Sequence, residues 1–306
     1  MEKKPLVVVN GLVRKDAIAY LKEHVDVRQW TEKTVMPREV LKEWLIDADG
    51  LWCVRPLDVD GDLVKNAPNL KVIAQAAVGY DNVNIDELTA AGIPYGNTPG
   101  VLNETVAELA FTLIATASRR IIENANFVKD GRWAQRPSNI KGFDLSRRTL
   151  GIIGMGAIGV SISRRARAFG MTVVYHNRNQ RLDDKIHKTT YMELDDLLAI
   201  SDVVCVMAPL TDETYHMCDE AFFKKMKNTA LFVNVGRGPI VDTDALINAL
   251  KTGEIDYAAL DVTDPEPLPA DHPLLDVENC LIVPHIGSYT DRSEERRVGK
   301  ECASMC

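Results

Sequence analysis

The run Leu150-Gly151-Ile152-Ile153-Gly154-Met155-Gly156-Ala157-Ile158-Gly159 sets a G-x-G-x-x-G behind an apolar strand pattern and ahead of an amphipathic helical pattern, Val160 to Phe169. A further strand pattern follows Gly170. The glycines alone are a weak signal. In a strand–turn–helix–strand context they are the fingerprint of a dinucleotide-binding unit. Gly154 permits the tight turn, Gly156 lets backbone approach a pyrophosphate, and Gly159 lets helix pack on strand. With Met155, Ala157 and Ile158 they form a phosphate-binding turn, where the helix supplies N–H groups and the positive end of its dipole. The plain alternative is a Gly-rich strand–helix turn with no ligand.

The rest of the chain continues the same alternation. Before the glycines, short apolar runs (Leu6–Val9, Val25–Arg28, Leu51–Val54, Leu70–Ala74, Ile93–Tyr95) alternate with helical patterns (Lys15–Glu23, Pro37–Ile46, Asp60–Asn66, Ile85–Ala91). Gly92 suits a helix C-cap, and Asn97-Thr98-Pro99-Gly100 breaks the pattern. A long helix with Asn103 as N-cap follows. Beyond Thr149 the predicted strands are Thr149–Ile153, Thr172–His176, Val203–Met207, Ala230–Asn234, Tyr257–Leu260 and Leu281–Val283. The prediction is two doubly wound parallel-sheet α/β domains, and 306 residues suit two domains of roughly 150.

Composition removes other classes. A formal net charge of −8 leaves no basic face for generic nucleic-acid binding. The most apolar stretch, Ala107 to Ala117, contains Glu108 and ends at Arg119-Arg120, far short of the ~18 apolar residues of a membrane span. The apolar run at Leu6–Val9 is too short for a signal peptide, whose h-region needs roughly 7 to 15 residues. The six cysteines (53, 205, 218, 280, 302, 306) show no metal or redox spacing and read as buried small residues or surface thiols, which suits a reducing cytoplasm.

An NAD site usually carries an acidic residue about 20 residues past the glycines, to accept the ribose 2′-OH. Here Asn177-Arg178 stands at that strand end. A neutral residue followed by a cation favours NADP(H), with NAD(H) possible; the alternative for Arg178 is a solvated surface charge. Three further segments end predicted strands on one carboxyl edge: Asn234 to Pro239, Leu260 to Pro267 and Val283 to Ser288. They bring an anion-binding fork (Arg237), a carboxylate (Glu266) and a titratable imidazole (His285) to the edge where open α/β sheets bind ligands. Singly, each has a structural reading as a loop ion pair, a turn charge or a buried polar group.

These segments, with Ala77-Val78-Gly79-Tyr80-Asp81-Asn82, Asn103-Glu104-Thr105-Val106-Ala107-Glu108 and Ala208-Pro209-Leu210-Thr211, resemble the D-isomer-specific 2-hydroxyacid dehydrogenases, from about Leu6 to Thr290. Within that family the chain looks most like glyoxylate/hydroxypyruvate reductases and 2-ketoaldonate reductases. The resemblance implies that Arg237 binds the substrate carboxylate and carbonyl, that His285 exchanges the proton, and that Glu266 pairs with His285. It assigns the nicotinamide carboxamide to Asp261 and the substrate carboxylate to the N–H groups of Val78 and Gly79. Thr105, Ala208, Pro209, Thr214, Val235 and Gly287 fall on its cofactor-contacting segments, and Arg55 is a candidate for shaping the substrate pocket.

The resemblance further implies a flavodoxin-like substrate domain (1–98) interrupted by a Rossmann cofactor domain (99–286), closure of the two over the substrate, and a return segment (287–306). No metal is implied. Trp133 falls where family members often dimerise, so a homodimer is expected; an ordinary core or surface tryptophan is the alternative. Two other functions suit the same fold. One is an NAD-linked D-3-phosphoglycerate dehydrogenase, against which Asn177-Arg178 speaks. The other is a dinucleotide-sensing corepressor or scaffold. The stretch 292–306 departs from the family: it has no apolar helical face and resembles one reading frame of a common short-read sequencing adapter. Native coding is expected to end near Asp291, with roughly 25 family residues (a helix, a strand and short connections) replaced.

Overall fold

A computed structural model of the chain describes residues 4–54 and 57–291. Arg55 and the stretch 292–306 therefore lie outside the described residues. The remainder divides into two compact units, one reaching to Leu102 and resuming at Tyr289, the other Asn103–Ser288.

The first unit is built on β1 (Leu6–Val9), β2 (Asp26–Gln29), β3 (Gly50–Cys53), β4 (Val72–Gln75) and β5 (Tyr95–Gly96). All pairings are parallel, in the order β2-β1-β3-β4-β5, which is the flavodoxin-like winding. Side chains alternate faces along a strand, so β1 and β3 feed two cores. Val8 and Leu51 join Leu41, Leu45, Leu63, Ile73 and Leu88 on one face. Val7, Val9 and Trp52 join Ala17 and Leu21 on the other. Each fully buried leucine contributes about 1.5–3 kcal/mol.

The second unit carries β6 (Thr149–Ile153), β7 (Thr172–His176), β8 (Thr190–Tyr191), β9 (Val203–Val206), β10 (Leu231–Asn234), β11 (Tyr257–Leu260) and β12 (Cys280–Ile282). The order is β12-β11-β10-β9-β6-β7-β8, again all parallel. The winding reverses at β6, so the crevice between the loops after β6 and β9 is the switch point where such sheets bind ligands. Helices Asn103–Ser118 and Ala157–Ala168 bury Ala107, Ala110, Ile114, Ile162 and Ala166 on one face. On the other face Leu197, Phe222, Phe223, Leu246 and Leu250 pack from three helices.

Four predicted strands (Leu6–Val9, Thr149–Ile153, Thr172–His176 and Tyr257–Leu260) occupy the residues expected of them. The edge strand β8 and the helix Ile121–Lys129 were not expected from the sequence. The helix behind the glycines begins at Ala157 rather than Val160, because Gly156 takes the N-cap position. Asn103 is the first residue of its helix instead of the cap before it. Cys53, Cys205 and Cys218 are buried as small apolar side chains, and burial pushes the Cys53 and Cys205 thiols up to about 12. Among the described residues no helix is long and apolar enough to cross a membrane.

Candidate active site

The glycine turn fits a dinucleotide. Gly154 has φ +100, and a Cβ there would meet the Ala208 nitrogen at 2.6 Å, so only glycine lets the turn close against the loop after β9. Gly156 opens onto free space, with nothing within 4 Å of a built Cβ. A Cβ at Gly159 would stand 2.8 Å from the Gly154 carbonyl oxygen. The helix that starts at Ala157 has no side-chain cap and no acidic residue in its first turn, which leaves its N-terminal dipole free to face a phosphate.

Of the surrounding expected residues, Asn177 and Ala208 touch this turn, and the others lie in neighbouring loops and helices. Asn177, just past β7, accepts the Met155 N–H through Oδ1 at 2.7 Å and so holds the glycine loop from the side. Arg178 is 79% exposed and pairs with Glu213 at 3.5 Å, across from the loop after β9. In that loop Thr214 donates to the Pro209 carbonyl at 2.7 Å and accepts the Thr211 N–H at 2.8 Å. Ala208 lies between two glycines: its nitrogen faces Gly154 and its carbonyl faces Gly236. Val235 is buried and donates its N–H to the Val206 carbonyl. Thr105 lies in the first turn of its helix, where neighbouring Glu104 accepts from Ser161 (2.7 Å) and Arg165 (3.0 Å) of the glycine helix.

Arg237, Glu266 and His285 meet at the same sheet edge. His285 Nδ1 lies 2.5 Å from Glu266 Oε1. This bond raises the imidazole above its ordinary value against the effect of burial, and Asp261 adds to the rise. Burial works against the charge on Glu266, yet the His285 bond and the nearby Arg237 hold its carboxyl below the usual range. Arg237 is half-buried and donates to the Gly236 carbonyl at 2.8 Å. Its charge reaches both partners, lowering Glu266 and opposing the protonation of His285. With Nδ1 engaged by Glu266, Nε2 is the ring atom left for proton transfer.

The His285 backbone adopts φ +50, a left-handed conformation rare for a residue with a Cβ. Asp261 stabilises it. Its carbonyl accepts the His285 N–H at 2.9 Å, and its carboxylate accepts the N–H groups of Ile286 (2.6 Å) and Gly287 (2.9 Å). Asp261 is 3% exposed, and burial raises its carboxyl despite those bonds. The resemblance gave Asp261 to the cofactor; in the structure its carboxylate is bonded to the histidine loop.

Asn234 was not singled out from the sequence. It is fully buried at the end of β10, where Oδ1 accepts the Gly236 N–H at 3.0 Å and Nδ2 donates to the Arg237 carbonyl at 2.9 Å. One carboxamide thus fixes the peptide groups on both sides of the Gly236–Arg237 step. A polar residue closing an apolar strand two residues before a glycine is the only sequence signal that could have marked it. In the first unit, the Val78 carbonyl accepts from Asn97 (2.8 Å) and the Gly79 carbonyl from Gln75 (2.9 Å), which orients those two peptides.

The family model for the NAD-binding domain of D-isomer specific 2-hydroxyacid dehydrogenases matches residues 111–287. A glyoxylate reductase of Korarchaeum cryptofilum is 41% identical over 296 residues, covering 96% of this chain and 89% of that protein. The crystal structure of a glyoxylate reductase from Paecilomyes thermophila superposes with a TM-score of 0.90 at 30% identity, covering 100% of this chain and 95% of that one. An NADPH-dependent glyoxylate/hydroxypyruvate reductase from Sinorhizobium meliloti, in complex with NADP and malonate, superposes with a TM-score of 0.89 at 28% identity, covering 99% and 93%. The glycine turn, the histidine–glutamate pair and these likenesses agree: the chain belongs to the D-isomer specific 2-hydroxyacid dehydrogenase family, whose cofactor is a nicotinamide dinucleotide.

Proposed function

We propose that this protein reduces a small 2-oxo acid (glyoxylate, hydroxypyruvate or a 2-ketoaldonate) to the D-2-hydroxy acid, with NADPH preferred over NADH. The observation that carries this reading is the His285–Glu266 pair beside Arg237, on the sheet edge that bears the glycine turn. A bound reduced nicotinamide supplies the hydride that carbonyl reduction needs. Arg237 takes the substrate carboxylate and counters the negative charge that grows on the carbonyl oxygen. His285 enters as imidazolium and gives its Nε2 proton to that oxygen, ending neutral, while Glu266 keeps the ring charged until transfer.

The NADPH preference rests on Asn177 and Arg178. No carboxylate at the end of β7 repels a 2′-phosphate, and Arg178 can leave its exposed partner Glu213 for one at little cost. The NADP-bound relative from Sinorhizobium meliloti supports the same choice. The homodimer rests on exposed apolar side chains in one stretch, Ile121, Ile122, Val128 and Trp133. Steady-state kinetics with glyoxylate, hydroxypyruvate and a 2-ketoaldonate, each with NADPH and NADH, tests the proposal. It expects turnover with at least one of these acids and a higher kcat/KM for NADPH.

A further inference from the structure

The loops that carry Arg237 and Glu266 follow different strands, β10 and β11, yet their backbones touch. A Cβ at Gly238 would fall 1.9 Å from the Thr263 carbonyl oxygen and 2.9 Å from the Asp264 nitrogen. One side chain reaches across at the same place. Thr243, first residue of the helix Thr243–Thr252, donates Oγ1 to the Asp264 carbonyl at 2.9 Å. The helix does not need this hydroxyl as a cap, because Asp242 already accepts the Ala245 N–H at 3.1 Å. From Asp264 the path to the proton-carrying pair is short. Thr263 donates Oγ1 to the Pro265 carbonyl at 2.9 Å and its N–H to Glu266 Oε2 at 3.4 Å, while Glu266 Oε1 holds His285.

We propose that Thr243 is a positioning residue for the reaction: by holding the Asp264 carbonyl it sets the Glu266 carboxylate against His285 Nδ1, from a helix that carries no reacting group. This rests on the acid–base reading above. The hydroxyl is suited to the task because a hydrogen bond to a carbonyl fixes a peptide plane in a way that packing alone does not, and a charge-assisted pair weakens steeply when its geometry loosens. The charged groups facing His285 are Glu266, Asp261 and Arg237, of which Asp261 is tied to the histidine loop itself. Glu266, two residues past the Asp264 carbonyl that Thr243 holds, is the member nearest in the chain to that contact.

The test is the His285 pKa, read by NMR titration of the ring protons in the full chain and compared with the pH profile of kcat/KM. Thr243→Val should lower that pKa by about half a unit or more, roughly threefold in the protonation equilibrium, and Thr243→Ser should restore it. Thr243→Ala removes the hydroxyl without added bulk and gives a second reading should the valine variant fail to fold. A lower Tm with an unmoved His285 pKa in the valine or alanine variant would mean that Thr243 only stabilises the helix, and the proposal would be wrong. Glu266→Gln separates the two layers. If it lowers the pKa while the Thr243 variants do not, the positioning role falls and the acid–base reading stands. If Glu266→Gln leaves the pKa unmoved, both fall together.

Discussion

His285 is held in a conformation its side chain disfavours, by bonds that also set its chemistry. The left-handed backbone costs on the order of 1–2 kcal/mol for a residue with a Cβ. His285→Gly should therefore be more stable than His285→Ala by about 1 kcal/mol, measured as a difference in denaturation midpoint; equal midpoints would show that the strain is absent. The direction of the pKa shifts sets the pH behaviour. His285 is raised above its ordinary ~6.5, so the stability that its charge gains beside Glu266 is fully present below that pH and is lost as pH rises through the raised value. Glu266 is lowered, so its contribution holds above ~4.3 and is lost as pH falls through the lowered value. If His285 is the proton donor, as proposed, reduction needs imidazolium and should fall with pH along a limb lying above ~6.5, whereas oxidation of the hydroxy acid should rise across the same limb. A reductive limb at or below ~6.5 would contradict the pairing. At this scale the sequence revealed residues whose own chemistry is distinctive, such as Arg237 and His285. It concealed Asn234 and Thr243, whose hydrogen-bond partners are backbone groups, and a backbone group leaves no trace in residue identity.

At the level of elements, short, nearly continuous apolar runs between glycines and helical patterns made most strands legible. The edge strand β8 is two residues long, too short for any period to show. The Ala157 helix start was missed because apolar periodicity begins only where the helix meets its core, whereas the turn before it is shaped by glycine. The loops repeat this lesson in their close contacts. Gly238 reads as an ordinary glycine beside Arg237, yet it is the point where two loops press together. Gly238→Ala should cost at least the 1–3 kcal/mol typical of overpacking and lower kcat/KM with it, since the clash is with backbone; unchanged stability and turnover would refute the contact. Cofactor choice also belongs here, to the end of β7. Asn177→Asp keeps an acceptor for the Met155 N–H but places a charge where the proposal puts the ribose 2′ position. The ratio of kcat/KM for NADPH over NADH should fall at least several-fold, at ~1.4 kcal/mol per tenfold. An unchanged ratio would mean that the 2′ position is read elsewhere.

For the molecule as a whole, the class of the two sheets was within reach of the sequence, because unbroken strand–helix alternation admits little else than parallel doubly wound sheets. Which strand neighbours which was not written in any local pattern. The proposed homodimer is tested at the exposed stretch around Trp133: if it forms there, sedimentation should give twice the chain mass, and Trp133→Arg should shift it toward the monomer. A monomeric wild type would remove that inference and leave the chemistry untouched. The account as a whole stands on one claim, that His285 hands the proton to a 2-oxo acid reduced at this sheet edge. The most direct measurement is turnover of hydroxypyruvate with NADPH, with chiral analysis of the product, by the wild type and by His285→Ala. The account predicts D-glycerate from the wild type and a kcat lower by roughly 10²–10⁴ in the variant, with cofactor affinity nearly unchanged. L-glycerate from the wild type, no turnover of any of the three proposed acids, or near-normal turnover by His285→Ala would contradict it.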